Sequence, residues 1–182
     1  MPNWCDNFLV VMGTKEEVKK FDEAFKGYPA NWDDEEELKQ GYCLNALYPV
    51  PPEVLNVGYS VPDSRDIKEK LKNLHDPEKW TDGYSWCVSH WGTKWDIRFL
   101  DVEVIPVTKS STIMRYNFLT AWSPPDKWLL KVAKDWPQLQ FTLLYFEPGM
   151  CFGGEILAQG HNAEIKEYVE NVPQEILELF EG

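Results

Sequence analysis

The chain has 182 residues, 43% of them hydrophobic and 14% aromatic, with nine tryptophans and a formal net charge of −12. That length fits one domain, or one domain with an insertion, and so much apolar material excludes an intrinsically disordered chain. The charge disfavours direct binding to duplex nucleic acid, which depends on neutralising phosphates, and no apolar run approaches the roughly 20 residues of a membrane helix.

The acidity is uneven. Asp33 to Glu37 supplies five negatives in succession, and His161 to Gly182 holds six Glu against one Lys, so the rest of the chain is close to neutral. Met1-Pro2-Asn3-Trp4-Cys5-Asp6 has neither a basic n-region nor a small-residue cleavage site, which points to a cytoplasmic protein. Cys5, Cys43, Cys87 and Cys151 form no C-x-x-C pair and are expected to serve as small hydrophobes in a reducing compartment. Cys87 and His90 could offer two metal ligands at helical spacing, but a second pair is missing, so neither a metal nor another cofactor is expected.

In chain order, Asn7 to Gly13 reads as a short buried strand ended by Gly. Thr14-Lys15-Glu16-Glu17 is a capping box, and Val18, Phe21 and Phe25 continue a helix over about Lys15 to Lys26. Irregular sequence follows. Asp33 to Glu37 reads as a polar loop or the start of a short acidic helix. Leu44 to Pro52 cannot sustain a ladder because its prolines lack donors. Ile67, Leu71 and Leu74 mark an amphipathic helix with Lys68, Lys70 and Lys72 outward. A helical turn over Ser85 to Trp91 is expected to stop at Gly92 in the left-handed region.

Strands then resume at Val102 to Ile105, demoted toward a sheet edge or an early end by Pro106, and at Thr112 to Ala121. In the second, Met114, Tyr116 and Phe118 take one face, with Arg115 and Asn117 on the other. Ser123-Pro124-Pro125-Asp126 predicts a hydroxyl-capped helix over Pro124 to Asp135, with Trp128, Leu129, Val132, Ala133 and Trp136 as its apolar stripe. Gln140 to Phe146 is a strand. Gly153 to Gln159 and Ala163 to Val169 form a hairpin around Gly160-His161-Asn162. A short terminal helix turns Ile176, Leu177 and Phe180 inward.

The order β-α-(insertion)-β-β-α-β is the ferredoxin-like split βαβ arrangement of the α+β class: an antiparallel sheet with two helices on one face. Residues 1–182 are read as a single domain. Residues 27–100 form an insertion packed on the core, and 153–182 add a hairpin and a short helix.

Four segments stand out from generic core: Met1-Pro2-Asn3-Trp4-Cys5-Asp6-Asn7, His90-Trp91-Gly92-Thr93-Lys94-Trp95-Asp96, Thr120-Ala121-Trp122-Ser123-Pro124-Pro125, and Tyr145 to Gly154. In this order they resemble the YubB-type ferredoxin-like domain family of bacteriophages, plasmids and other bacterial mobile elements. The resemblance spans essentially the whole chain. It implies the fold and a setting in a bacterial host cell, and it implies no activity. The longer, acidic C-terminus departs from the family pattern and inherits nothing from it.

In a split βαβ sheet the first and third core strands are neighbours, so Trp4 and Trp122 come together at one end. Trp91 and Trp95 arrive from the insertion with Lys94 and Asp96, and the Glu147-Pro148-Gly149 turn reaches the same end. One reading is an aromatic mini-core pinning the insertion, with Lys94 paired to Asp96 or Glu147. The other is a recognition pocket: Trp4, Trp91, Trp95 and Trp122 for stacking, Lys94 for an anionic group, and Asn7, Asp96, Ser123 and Glu147 for hydrogen bonds.

Signatures of known enzyme classes (G-x-S-x-G, H-E-x-x-H, the P-loop, G-x-G-x-x-G) are missing. His75 and His161 read as surface residues and His90 as a packing residue. Cys5 with His90 is the one conceivable nucleophile pair. The expectation is a non-catalytic binding module for a small-molecule ligand, with a nucleotide as the natural fit, or for a host protein. The alternatives are an unfamiliar enzyme using Asp96, Glu147 and Lys94, and an acidic mimic of nucleic acid. Oligomeric state is left open.

Overall fold

The computed structural model describes residues 3–32, 39–60 and 82–180. The acidic run Asp33 to Glu37, the helix expected around Ile67, Leu71 and Leu74, and His75 lie outside the described residues.

The first strand, β1 (Trp4–Thr14), alternates strictly: Cys5, Asn7, Leu9 and Val11 are buried while Trp4, Asp6, Phe8 and Val10 take the other face. Helix α1 (Lys15–Ala24) starts where expected, and Thr14 Oγ1 accepts the Glu17 N–H at 3.2 Å. The capping box is only half formed, because the Glu17 carboxylate turns outward to Gln138 and Lys20. Short pieces follow: β2 (Lys26–Gly27), β3 (Gly41–Tyr42), α2 (Leu44–Leu47) and α3 (Pro52–Val57). Helix α4 (Gly83–His90) begins two residues earlier than the sequence suggests, since Asp82 rather than a later residue caps it, accepting from Ser85 N at 2.7 Å. Gly92 ends that segment at φ 88°, as expected.

The remaining elements are β4 (Arg98–Pro106), β5 (Ser111–Ala121), α5 (Asp126–Asp135), β6 (Gln140–Glu147), β7 (Phe152–Gln159), β8 (Asn162–Val169) and α6 (Gln174–Phe180). Two boundaries need correction. Strand β4 starts at Arg98, inside the segment assigned to the insertion, because a bulge between Phe99 and Asp101 lets pairing with β5 continue past the expected start. Helix α5 starts at Asp126, not Pro124. Its cap position is Pro125, which has no side chain to offer, and the Ser123 hydroxyl donates instead to Gly92 O at 2.6 Å.

Among the described residues, six of the eight strands form one antiparallel sheet in the order β4-β5-β1-β6-β7-β8, and β2 and β3 pair separately. Four of them, β4-β5-β1-β6, carry the ferredoxin-like order, with β1 and β5 as central neighbours and Trp4 opposite Ala121. Strand β4 is an edge, as its proline implied, and the β7–β8 hairpin widens the sheet at the other side. Helices α1 and α5 both lie on the face of Leu9, Tyr116, Phe118 and Phe141. There Phe21 meets Phe141 edge-on at 5.4 Å, and Phe25 lies 5.3 Å from Trp128. Helix α6 covers part of the opposite face, with Phe180 stacked on Phe146. No helix among the described residues is long and apolar enough to cross a membrane.

Candidate functional site

The end of the sheet where β1 starts and β5 stops does gather the expected segments, but it sorts them into two layers. Trp91 goes inside. It is fully buried against Trp86, its indole N–H donates to Tyr48 O at 2.9 Å, and it offers no face to a ligand. Sequence placed it with the other tryptophans. The helix α4 terminus instead turns it under the insertion, where it does the pinning.

Trp4, Trp95, Trp122 and Lys94 form the outer layer. Trp4 and Trp95 meet edge-on at 6.5 Å. Trp122 is 50% exposed and sits at φ 73°, a conformation rare for a bulky residue. Its backbone N–H is fixed by Asn3 O at 2.9 Å, which extends the β1–β5 pairing by one residue and holds the strained turn. The Lys94 ammonium lies 2.7 Å from the Trp122 ring centroid, with Trp95 and Tyr84 at 5.7 and 5.6 Å. The expected ion pair of Lys94 with Asp96 or Glu147 does not form. Lys94 uses ring faces instead, an attraction worth about 0.5–2 kcal/mol depending on desolvation.

The expected hydrogen-bonding residues are mostly committed to backbone. Asp96 Oδ1 accepts from Leu44 N (2.6 Å) and Ile97 N (2.9 Å), and Oδ2 from Asn45 N (3.3 Å), so the side chain fastens the start of α2 to the loop before β4. Burial pushes its carboxyl up to about 6 against the pull of those three donors. Glu147, 1% exposed, accepts from Gly149 N and Met150 N and shapes the β6–β7 turn. Asn7 faces the core, where its amide nitrogen bonds Cys5 O and Thr120 Oγ1, each at 2.8 Å, and its Oδ1 has no partner among the described residues.

An open cleft of ≈ 440 Å³ lies beside Trp122, lined by Asn3, Glu147 and Met150. Tyr84, Asn3 and Met150 are site residues beyond those expected from the sequence. Met150 carried a signal: an apolar residue after Pro148-Gly149, in a turn with nothing local to pack on. Tyr84 carried none, because its place beside Lys94 depends on how α4 docks.

The three buried thiols make poor nucleophiles. Burial raises Cys43 and Cys87 to about 12 and pushes Cys5 higher still. His90 stacks flat on Trp86 at 4.4 Å, with Nδ1 2.9 Å from Trp86 O, a packing role as expected. Among the described residues no group of three or more His, Cys, Asp or Glu could hold a metal ion.

The family described as the ferredoxin-like domain in Api92-like protein matches residues 91–181, half of the chain. No curated protein matches it. Among solved structures, the protein api92 from Yersinia pseudotuberculosis is similar in fold, with a TM-score of 0.52 at 9% sequence identity, covering 95% of this chain and 100% of that one. The matched segment holds β4 to β8, α5 and α6. The central strand β1 and helix α1, which complete the ferredoxin-like unit, come from outside it.

Proposed function

This chain belongs to the family of the ferredoxin-like domain in Api92-like protein, and from that premise we propose that it is a non-catalytic binding module whose contact surface is centred on Trp122. One observation carries this reading: a half-exposed tryptophan held at φ 73° with a lysine ammonium on its ring. Such a conformation costs about 1–3 kcal/mol and persists where the surroundings enforce it, which is where ligand contacts concentrate. The carboxylates an enzyme would use here, Asp96 and Glu147, hold backbone N–H groups, which favours capture over turnover.

The occupant that fits best has a flat ring for Trp122 and a negative group within reach of Lys94, as a nucleotide has. A second reading, a host protein, is favoured by Met150, which is 69% exposed next to Trp122, since exposed Trp and Met anchor protein interfaces. We carry the YubB-type placement and the cytoplasmic mobile-element setting as part of this proposal, on the four motifs that suggested them.

Tryptophan emission tests it directly. Titration with mono-, di- and cyclic nucleotides is expected to quench wild-type fluorescence, and Trp122→Ala is expected to weaken binding by about 5- to 150-fold, the value of one lost stacking platform. Lys94→Ala should weaken it too, and Trp136→Phe should not. If the panel fails at high micromolar concentration, the nucleotide falls. A pull-down that recovers one partner with wild type but not with Trp122→Ala would then support the protein reading, and failure of both removes the binding module.

A further inference from the structure

Across β6, β7 and β8, Tyr145 lies opposite Gly154 and Gly154 opposite Glu167. This row is on the helix-bearing face, where Phe141, Leu143 and Tyr145 point. A Cβ on Gly154 would collide with the Tyr145 hydroxyl, so the phenol runs over the bare glycine toward Glu167. Tyr145 is 3% exposed, yet among the described residues its hydroxyl has no hydrogen-bond partner. The hydroxyl oxygen is not among the sealed polar atoms without a partner, so the tip of this otherwise buried side chain opens into a cleft.

The same tyrosine lines a cleft of ≈ 350 Å³, with Asp126 from the first turn of α5, Glu167 from β8, and Phe152 and Val169 as apolar walls. The one cation among the described lining residues, Lys127, sends its ammonium to Val88 O at 3.0 Å. Burial first, and the Glu167 charge among lesser causes, raise the Asp126 carboxyl, and Lys127 offsets only part of this. Burial, Glu167 and Asp126 also raise the Tyr145 phenol. The cleft therefore concentrates negative charge around an unused hydrogen-bonding group between apolar walls.

We propose that this cleft binds a small molecule through an alkylammonium group, held between the Asp126 and Glu167 carboxylates with the Tyr145 hydroxyl as a third contact. A hard divalent cation fits less well, since it seeks six or more oxygens, whereas Phe152 and Val169 suit a methylene chain. The site lies across the Ser123 turn from the Trp122 surface and does not depend on it.

Isothermal titration with 1,4-diaminobutane and spermidine reads the proposal, with 1,4-butanediol as the neutral counterpart. Both amines are expected to bind and the diol not. Glu167→Gln, at an exposed position, should weaken the amines about tenfold, the loss of roughly 1.4 kcal/mol, and Tyr145→Phe should weaken them with an unchanged circular dichroism spectrum. Glu164→Gln, on the opposite face of β8, and Trp122→Ala should leave amine binding intact. No heat from either amine at millimolar concentration overturns the site. So does an equal loss in Glu164→Gln, which would reveal unspecific attraction to net charge. Binding of magnesium alone, or only of a lysine-bearing peptide, would overturn the small organic cation as its occupant.

Discussion

Replacing Trp128 by alanine is expected to lower the stability of the protein by about 3–5 kcal/mol, the range for truncating a large aromatic in a packed core. Trp128 is fully buried on α5, its ring lies 5.3 Å from that of Phe25 at the C-terminal cap of α1, and its indole N–H donates to Leu44 O at 3.0 Å. One side chain thus joins both core helices and the insertion. Alanine leaves a cavity between the helices and removes one of the two donors to Leu44 O, which keeps the Tyr48 N–H, and each adds to the loss. Denaturant titration measures it, with Trp136→Ala as the comparison. Trp136 is only half-buried at the end of α5, edge-on to Phe21 at 5.4 Å, so its loss should be smaller. The reverse ranking would mean that the centre of the core lies elsewhere.

Asp96→Ala should cost roughly 2–4 kcal/mol near pH 4, because three backbone N–H groups lose their acceptor at once. The cost should then shrink as pH rises. Burial places the Asp96 carboxyl at about 6 in the native chain against its ordinary 3.8, so the unfolded chain releases its proton first. Between those two values the native state binds more protons than the unfolded state, and stability falls with rising pH. The full effect is roughly 3 kcal/mol by the usual conversion. It is present below about pH 4 and lost as pH passes about 6. Alanine has no proton to release, so the difference between wild type and variant isolates Asp96 from every other carboxylate. Paired denaturation curves from pH 4 to 7.5 measure it. A difference that widens with pH would show that the three donors outweigh desolvation and hold the carboxyl below its ordinary value.

By itself the sequence determined the ferredoxin-like core. Period-2 burial in β1, β5 and β6, period-3.6 stripes in α1 and α5, and proline and glycine at the element ends are local signals. The order of elements then restricts the sheet to few topologies. It also determined that Trp4 and Trp122 share one end, because antiparallel neighbours set one strand's start beside the other's end. Chain order carries no information on which of several neighbouring aromatics is buried, and there the tertiary structure decided. Trp91 and Trp95 are four residues apart in one motif, yet the docking of α4 buries the first under Tyr48 and leaves the second beside Lys94. In sequence Asp96 and Glu147 stand as partners for Lys94 or for a ligand, because their actual partners are backbone N–H groups, which every residue but proline has and no pattern marks. The row Tyr145–Gly154–Glu167 was equally invisible. It exists only through the register of three strands, and a glycine shows what it makes room for only when its neighbours across the sheet are known.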